Sequence, residues 1–500
     1  MGLKQQLTNS TAWMSLAASG MSIVSFLVFI IISRILSPTE IGLAVFAILV
    51  VEAGKIILNG GISQAIVKRA DWNHEYASSC FYLNIFYAVI FTAIVWFAGS
   101  PLTARYYDPA AVPVLQALVI IFLLEGIKVV HEGKLRREFA FKVIAMRSIS
   151  ASLLSGVIGV VMALQGYGVW ALVAQQLSGQ LLVTVVTLIS ARWWPEFKFV
   201  WHHAKHALKF SSPLMLAQLI NTLCSSVLEF MVGILLGPAA LGIYRIGGRA
   251  LFILQDIIVR PLEQTALPAL ARLQDLGARA NACLRIMRMS SFVIVPIFFG
   301  TAAIAPEFIV LVFGEKWRAS GELMSLIAIG SAPLLIRYQV NAALTAQGKT
   351  LWVLGLTLSL LIVTMVLGYF WVSKGLIYAA LAYMATTYFA AILGLIIFQS
   401  HFGCSFTVII KTILPSYIAS ATMLGICWVT KNHLGTLPLS IQIPLIAFVG
   451  ALSYLLLGLL VFRPETKNFL QEALSIAPAK ISPHLLRLQH WLGFNDRVMK

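Results

Sequence analysis

Apolar runs long enough to cross a bilayer recur along the whole chain and leave few folds open to it. They fall at 11–33, 41–63, 78–99, 112–130, 143–164, 168–190, 211–236, 241–263, 289–312, 322–345, 351–372, 376–398, 412–430 and 441–462. A spanning helix needs about 20 predominantly apolar residues, and each run is close to that. With 59% hydrophobic and 11% charged residues, the chain is excluded from the soluble globular class. The expected fold is an all-α polytopic membrane protein of about fourteen transmembrane helices.

The net charge of +17 does not point to nucleic acid, because the cations follow the topology. With the N-terminus inside, the inner segments hold 23 of the 36 Lys and Arg residues and the outer segments only 6. Both termini are therefore expected in the cytoplasm, with basic loops against anionic lipid. Residues 1–10 lead into the first run without a cleavage-like site, which predicts a retained signal anchor. The five cysteines (Cys80, Cys224, Cys283, Cys404, Cys427) lack metal-ligand spacing and read as reduced thiols. His202, His203 and His206 have no carboxylate or thiol partner at suitable spacing, so no metal or other cofactor is expected. The surrounding segment, WWPEFKFVWHHAKHALKF, has the Trp, Phe and Lys mixture of an interfacial belt. No outer loop exceeds about twenty residues, which leaves little room for a catalytic domain outside the membrane. HLLRLQHWLGF near the C-terminus predicts an amphipathic helix on the inner surface.

The chain repeats itself. Arg34-Ile-Leu-Ser-Pro38-Thr-Glu-Ile-Gly42 aligns with Ile234-Leu-Leu-Gly-Pro238-Ala-Ala-Leu-Gly242 at an offset of 200 residues. Gly168-Val-Trp-Ala-Leu and Gly375-Leu-Ile-Tyr-Ala form a second match at an offset of 207. An even number of helices separates the partners, so the halves share one orientation, a parallel repeat about the membrane normal. The expected organisation is a six-helix lobe over 1–200, a second over 201–400, helices 13 and 14 over 401–462 and a cytoplasmic tail over 463–500.

The eighth run, LGIYRIGGRALFILQDIIVRPLE, carries Arg245, Arg249, Asp256, Arg260 and Glu263. At about 100° per residue these five fall within roughly a 60° wedge of one helix face. At about 1.5 Å per residue the stripe is roughly 27 Å long, near the hydrocarbon thickness. A charge at the bilayer centre costs about 2.5–3.5 kcal/mol on insertion scales, so such a face requires a watery cavity. Gly247-Gly248 and Pro261 are positions where this helix could kink and lose its phase. The second run, its repeat partner, has Val45 and Leu49 at the positions of Arg245 and Arg249, so the cationic face belongs to the second lobe.

Other ionisable residues in apolar runs are Glu52 with Lys55, Glu125 with Lys128, Glu229, and Arg337 beside Tyr338, Gln339 and Asn341. The i, i+3 pairs can neutralise themselves. Arg245 and Arg249, one turn apart, suit a diphosphate, because a guanidinium donates two parallel hydrogen bonds and stays charged. The same two arginines can instead pair with Glu229 and Asp256 to hold the bundle. Proton coupling would need a desolvated carboxylate, for which Asp256, Glu229 and Glu52 are the candidates.

LSPTEIGLAVFA, GGISQAIVKR, LRREFAFKVIAMR, GYGVWALVAQQL, LGPAALGIYRIGGRA, LPALARLQD and FGEKW occur in this order. Through them the chain resembles the bacterial polysaccharide transporter family, the Wzx-type lipid-linked oligosaccharide flippases of the MOP superfamily. The resemblance implies a V-shaped, two-lobed, alternating-access transporter with a cationic cavity lined chiefly by helices 1, 2, 7 and 8. It implies movement of an undecaprenyl-diphosphate-linked repeat unit to the outer leaflet of the bacterial inner membrane. The implied partners are that lipid-linked oligosaccharide, the bilayer, and polymerase and chain-length or export proteins of the same pathway, with no nucleic acid. Two other classes fit the residues less well. A multidrug or organic-cation antiporter of the same superfamily should concentrate carboxylates where this chain has arginines. A polymerase, ligase or glycosyltransferase needs a nucleophile–base pair, phosphate loop or metal motif, and none is readable.

Overall fold

A computed structural model describes residues 20–69, 71–435 and 437–476. The side chains of residues 260, 261, 263, 264, 473, 475 and 476 lie outside that description. Everything regular among the described residues is helical. The helices are α1 (Gly20–Ile35), α2 (Pro38–Asn59), α3 (Ile62–Lys68), α4 (His74–Ile94), α5 (Ser100–Tyr106), α6 (Ala111–Leu118), α7 (Ile120–Arg137), α8 (Phe141–Leu164) and α9 (Val169–Ala191). They continue as α10 (Trp201–Ala271), α11 (Leu276–Phe313), α12 (Arg318–Ser331), α13 (Leu334–Ala346), α14 (Thr350–Val372), α15 (Leu376–Phe402), α16 (Phe406–His433), α17 (Leu439–Leu460) and α18 (Arg463–Ile476). Twelve stretches among the described residues are long and apolar enough to cross a membrane. One of them, Trp201–Val259, contains the seventh expected span and most of the eighth, while the first expected span is described only from residue 20. Large apolar side chains such as Phe97, Leu164, Ile189, Leu351 and Phe448 stand exposed on these helices, as lipid-facing surfaces require. The chain is a multi-pass membrane protein.

Local chemistry sets the helix boundaries. Ser37 and Glu40 form a capping box at α2, with Ser37 N donating to Glu40 Oε2 at 2.7 Å and Glu40 N to Ser37 Oγ at 3.3 Å. Pro38 sits in the first turn, where its missing N–H costs nothing. Within α10 only Gly237 leaves helical geometry, at φ 83°. Pro238 to Ala271 is thus one uninterrupted helix, and neither Gly247-Gly248 nor Pro261 breaks it. The inner connections expected over 191–210 and 264–288 are much shorter than the sequence predicts. The helices run past the apolar core, α10 continuing through Pro268, and leave 272–275 as the second connection, where Asp275 Oδ2 caps α11 by accepting from Ala278 N at 2.6 Å. The amphipathic helix expected at 484–494 lies outside the described residues.

The chain divides into two compact units, one comprising the residues up to Ile246 with Thr364–Ala379, the other Gly247–Val363 with the residues from Ala380 onward. In the first unit, Ala47, Val51 and Leu58 of α2 pack with Leu115 of α6, Phe122 of α7 and Val173 of α9. A second cluster joins Ile62 and Ile66 of α3 to Phe81 of α4, Val130 of α7 and Trp193. Trp193, from the segment read as interfacial, is therefore core, held where its carbonyl faces His131 Nε2 at 3.1 Å. Its neighbours Trp194, Phe197 and Trp201 are exposed and fit the interfacial reading.

The repeat has a physical counterpart in this unit. Gly42 and Gly242 each bring their backbone against the proline of the other motif. A Cβ on Gly42 would lie 1.8 Å from Pro238 O, and one on Gly242 would lie 2.1 Å from Pro38 O. Beside this crossing, Phe46 stacks on Tyr107 with centroids 3.9 Å apart. In the second unit the core runs through α10, α11, α13, α15 and α16, around Leu270, Met287, Val340, Phe398 and Ile413. There α18 docks on α11, with Phe469 stacked on Phe292 at 4.3 Å and Glu472 Oε1 3.0 Å from Arg288 Nη1.

Candidate functional site

Four residues of α7 set up the main polar site. Glu125, Lys128, Glu132 and Arg136 are spaced by 3, 4 and 4, which places them on one helix face. That face meets the end of α2, where Gly60 and Gly61 stop the helix and let α10 approach. A Cβ on Gly60 would be 2.5 Å from Met215 Cγ, and one on Gly61 2.8 Å from Ser211 Cα. Between α2, α3, α7 and α10 this leaves a cavity of about 510 Å³, inside the first unit.

The described lining of the cavity is rich in charged groups. Its carboxylates are Glu52, Glu125 and Glu132, and its cations are Lys55, Lys128 and Arg136. Each cation has its own carboxylate: Lys55 Nζ lies 2.8 Å from Glu52 Oε1, Lys128 Nζ 2.9 Å from Glu125 Oε1, and Arg136 Nη2 2.7 Å from Glu132 Oε1. A buried ion survives only when paired and further hydrogen-bonded, and Glu125 meets both conditions. Its side chain is 2% exposed, and it accepts from Asn59 Nδ2 at 2.9 Å and from Gln180. Glu132 also faces Lys128 at 3.8 Å and Arg147 at 3.6 Å, and Arg147 donates to Thr187. The rim is looser, with Glu52, Gln64 and Gln218 exposed.

Glu52 and Lys55 are thus placed together on the cavity wall, as an ion pair facing the polar groups of α7. Glu229 and Arg245 also meet: Arg245 Nη1 donates to Glu229 Oε1 at 2.8 Å and Oε2 at 2.7 Å, with Glu229 buried. The Arg245–Glu229 pairing, one of the two arrangements the sequence allows for Arg245, is present. Arg249 and Asp256 are half-buried and belong to the second unit, as does Arg337. Next to Asp256, Gln255 Nε2 donates to Ser331 Oγ at 2.9 Å, which lies 3.3 Å from Tyr383 OH. The Arg337 guanidinium lies 4.9 Å from the ring centroid of Tyr338, and its Nε is buried without a hydrogen-bond partner among the described residues. The side chains of Arg260 and Glu263 lie outside the described residues. Sequence reading missed Asn59, Glu132, Arg136, Gln180 and Arg147 as members of this site. For Glu132 and Arg136 the signal was there, in the 3, 4, 4 spacing continued from Glu125. For Asn59 and Gln180 there was none, because they reach Glu125 from 66 and 55 residues away.

A family profile described as polysaccharide biosynthesis protein matches residues 31–322. The chain is 24% identical over 329 residues to the succinoglycan biosynthesis transport protein ExoT of Rhizobium meliloti, covering 66% of this chain and 67% of the relative. It is 23% identical over 354 residues to the teichuronic acid biosynthesis protein TuaB of Bacillus subtilis, covering 69% and 72%. The lipopolysaccharide biosynthesis protein WzxC of Escherichia coli is 21% identical over 360 residues, covering 70% and 72%. In fold, the chain is similar to the lipid II flippase MurJ in an inward closed conformation, with a TM-score of 0.74 at 14% identity over 90% of this chain and 98% of that one. It is also similar to an inward-facing multidrug resistance MATE family transporter of the MOP superfamily, with a TM-score of 0.59 at 15% identity over 76% and 94%. The profile takes in more than half of the 500 residues, and the chain belongs to the polysaccharide biosynthesis protein family.

Proposed function

We propose that this protein is a flippase that carries undecaprenyl-diphosphate-linked oligosaccharide repeat units across a bacterial inner membrane by alternating access, for surface polysaccharide assembly. The carrying observation is a cavity lined by charged and amide side chains among helices apolar enough to span a bilayer, in a chain of the polysaccharide biosynthesis protein family. Moving a sugar head through hydrocarbon costs the hydrogen bonds of every hydroxyl, and a walled polar cavity replaces them. The step makes and breaks no bonds, so the protein acts as a transporter and not as an enzyme. Its relatives' names are those of biosynthesis and transport proteins, which supports that reading. Both termini face the cytoplasm, and the pathway's polymerase and chain-length or export proteins are its downstream partners. Deleting the gene tests this. Surface polysaccharide should be lost while lipid-linked repeat units accumulate on the inner leaflet. Loss of drug resistance alone, with polysaccharide intact, would instead make the chain an antiporter.

Two further results are expected. Arg249 is proposed to meet the diphosphate. Arg249→Ala should lower export by on the order of a hundredfold, as loss of a charge-assisted bidentate contact does, while Arg249→Lys keeps part of it. Unchanged export by Arg249→Ala at normal protein level would remove that role. For topology, a cysteine replacing Lys316 should react with an impermeant thiol reagent added outside intact cells, whereas one replacing Arg136 should not. The opposite labelling pattern would invert the proposed orientation.

A further inference from the structure

Several charges in the spanning helices are held in pairs. Lys55 lies 2.8 Å from Glu52, Lys128 2.9 Å from Glu125, Arg245 2.7 Å from Glu229 and Lys431 2.6 Å from Glu307. Arg337 is placed differently. It lies in α13, inside the span Glu315–Ala346, and has no carboxylate within ion-pair distance among the described residues. Its guanidinium rests 4.9 Å from the ring centroid of Tyr338, and its Nε is buried without a hydrogen-bond partner among the described residues. An arginine cannot shed its proton to escape the cost of burial, as a lysine can. One cation–π contact offsets only part of that cost. On the flippase reading above, we infer that Arg337 binds an oxyanion of the transported lipid, either a phosphate of its diphosphate or a carboxylate on its glycan, with Asn341 beside it.

At about 100° per residue, Arg337, Tyr338, Asn341 and Thr345 fall within about a 100° wedge of α13, and all four are half-buried. Away from that wedge Ile336, Val340 and Ala343 are packed into the core of the second unit. The core thus holds one side of the helix and leaves the polar side for a ligand. Asn341, one turn after Arg337, has a buried Oδ1 with no hydrogen-bond partner among the described residues. A half-turn about its Cβ–Cγ bond puts Nδ2 in that place and makes it a neutral donor. An oxyanion supplies what the Tyr338 ring does not, a counter-charge and two acceptors for the guanidinium edge that carries Nε and one Nη. Two charge-assisted hydrogen bonds outweigh one cation–π contact, so the ligand draws the guanidinium off the ring. A sugar hydroxyl can accept from Nε but leaves the charge uncompensated, and a cation is repelled.

The test uses the full-length protein in proteoliposomes with two probes. One is a prenyl-diphosphate lipid carrying a neutral trisaccharide, and the other is the same lipid with one hexose replaced by a hexuronic acid. Transfer between leaflets is read with an impermeant glycosidase, and thermal unfolding is read in detergent with and without the uronate probe. Arg337→Gln should slow transfer by on the order of tenfold or more, as loss of hydrogen bonds to a charged group does, with Arg337→Lys in between. Slowing of both probes alike identifies the diphosphate as the oxyanion, and slowing of the uronate probe alone identifies the glycan carboxylate. Without probe, Arg337→Gln should unfold at or above the wild-type midpoint, because it removes a cation that has no counter-ion among the described residues. With probe, the midpoint should rise for wild type and much less for Arg337→Gln. Unchanged transfer by Arg337→Gln would overturn the proposal. So would a loss of transfer that only follows a lowered midpoint without probe, which a bundle-holding arginine predicts. If wild-type protein moves neither probe, the flippase reading fails and the midpoints decide the Arg337 site separately. A probe-dependent rise lost in Arg337→Gln upholds the site, and a rise equal in both proteins or absent from both overturns it.

Discussion

Gly42→Ala and Gly242→Ala should each destabilise the protein by about 1–3 kcal/mol, the usual cost of forcing extra volume into a packed contact. At both positions the added methyl has no room, with Pro238 O 1.8 Å and Pro38 O 2.1 Å from where the Cβ would sit. The obstructing atoms are backbone, so relief needs movement of a helix and not a change of rotamer. Because both glycines serve one crossing, the shift that admits the first methyl makes room for the second. The double variant should lose less than the sum of the singles. Gly355→Ala is the control, since nothing lies within 4 Å of its would-be Cβ and alanine is the better helix former. Thermal unfolding in detergent should show lower midpoints for Gly42→Ala and Gly242→Ala but not for Gly355→Ala. Equal midpoints for all three would contradict the reciprocal contact.

The second large effect concerns the inner wall of the cavity. Lys128→Met removes the ammonium 2.9 Å from Glu125 and leaves a carboxylate that is 2% exposed with the neutral donors Asn59 and Gln180 as its hydrogen-bond partners among the described residues. Breaking one side of such a pair costs about 3–5 kcal/mol, and removing both sides costs far less. Lys128→Met should therefore lower the unfolding midpoint steeply, and Glu125→Gln in the same chain should restore much of it. If the pair only holds the helices, polysaccharide export should recover along with the midpoint. If it also shapes the wall that meets sugar, the double variant should be stable yet impaired. A single variant as stable as wild type would mean that the pair is not buried as described.

Much of this fold was legible in the sequence because the membrane permits so few structures. The expected spans at 143–164, 168–190 and 351–372 coincide with α8, α9 and α14 to within two residues. Hydropathy does not mark where a helix continues past its apolar stretch, so the expected ends differ from those of α10 and α11. Within the site, the local pairs Glu52–Lys55 and Glu125–Lys128 were readable from i, i+3 spacing, and Glu229–Arg245 from charge alone. Asn59, Gln180 and Arg147 were not readable, since their roles depend on tertiary contacts that bring distant helices to α7. The repeat at an offset of 200 residues suggested shared architecture. The reciprocal Gly–Pro contact that gives the repeat a physical purpose needed coordinates.

Transfer of the substrate itself can be measured. Purified protein is reconstituted into vesicles loaded with a prenyl-diphosphate lipid bearing a neutral oligosaccharide, and the sugar exposed on the opposite face is followed over time with an impermeant glycosidase. The flippase account predicts protein-dependent exposure of the whole lipid-linked unit, with its glycan and diphosphate intact. Exposure no faster than in empty vesicles, from protein that unfolds cooperatively at its usual temperature, would contradict it.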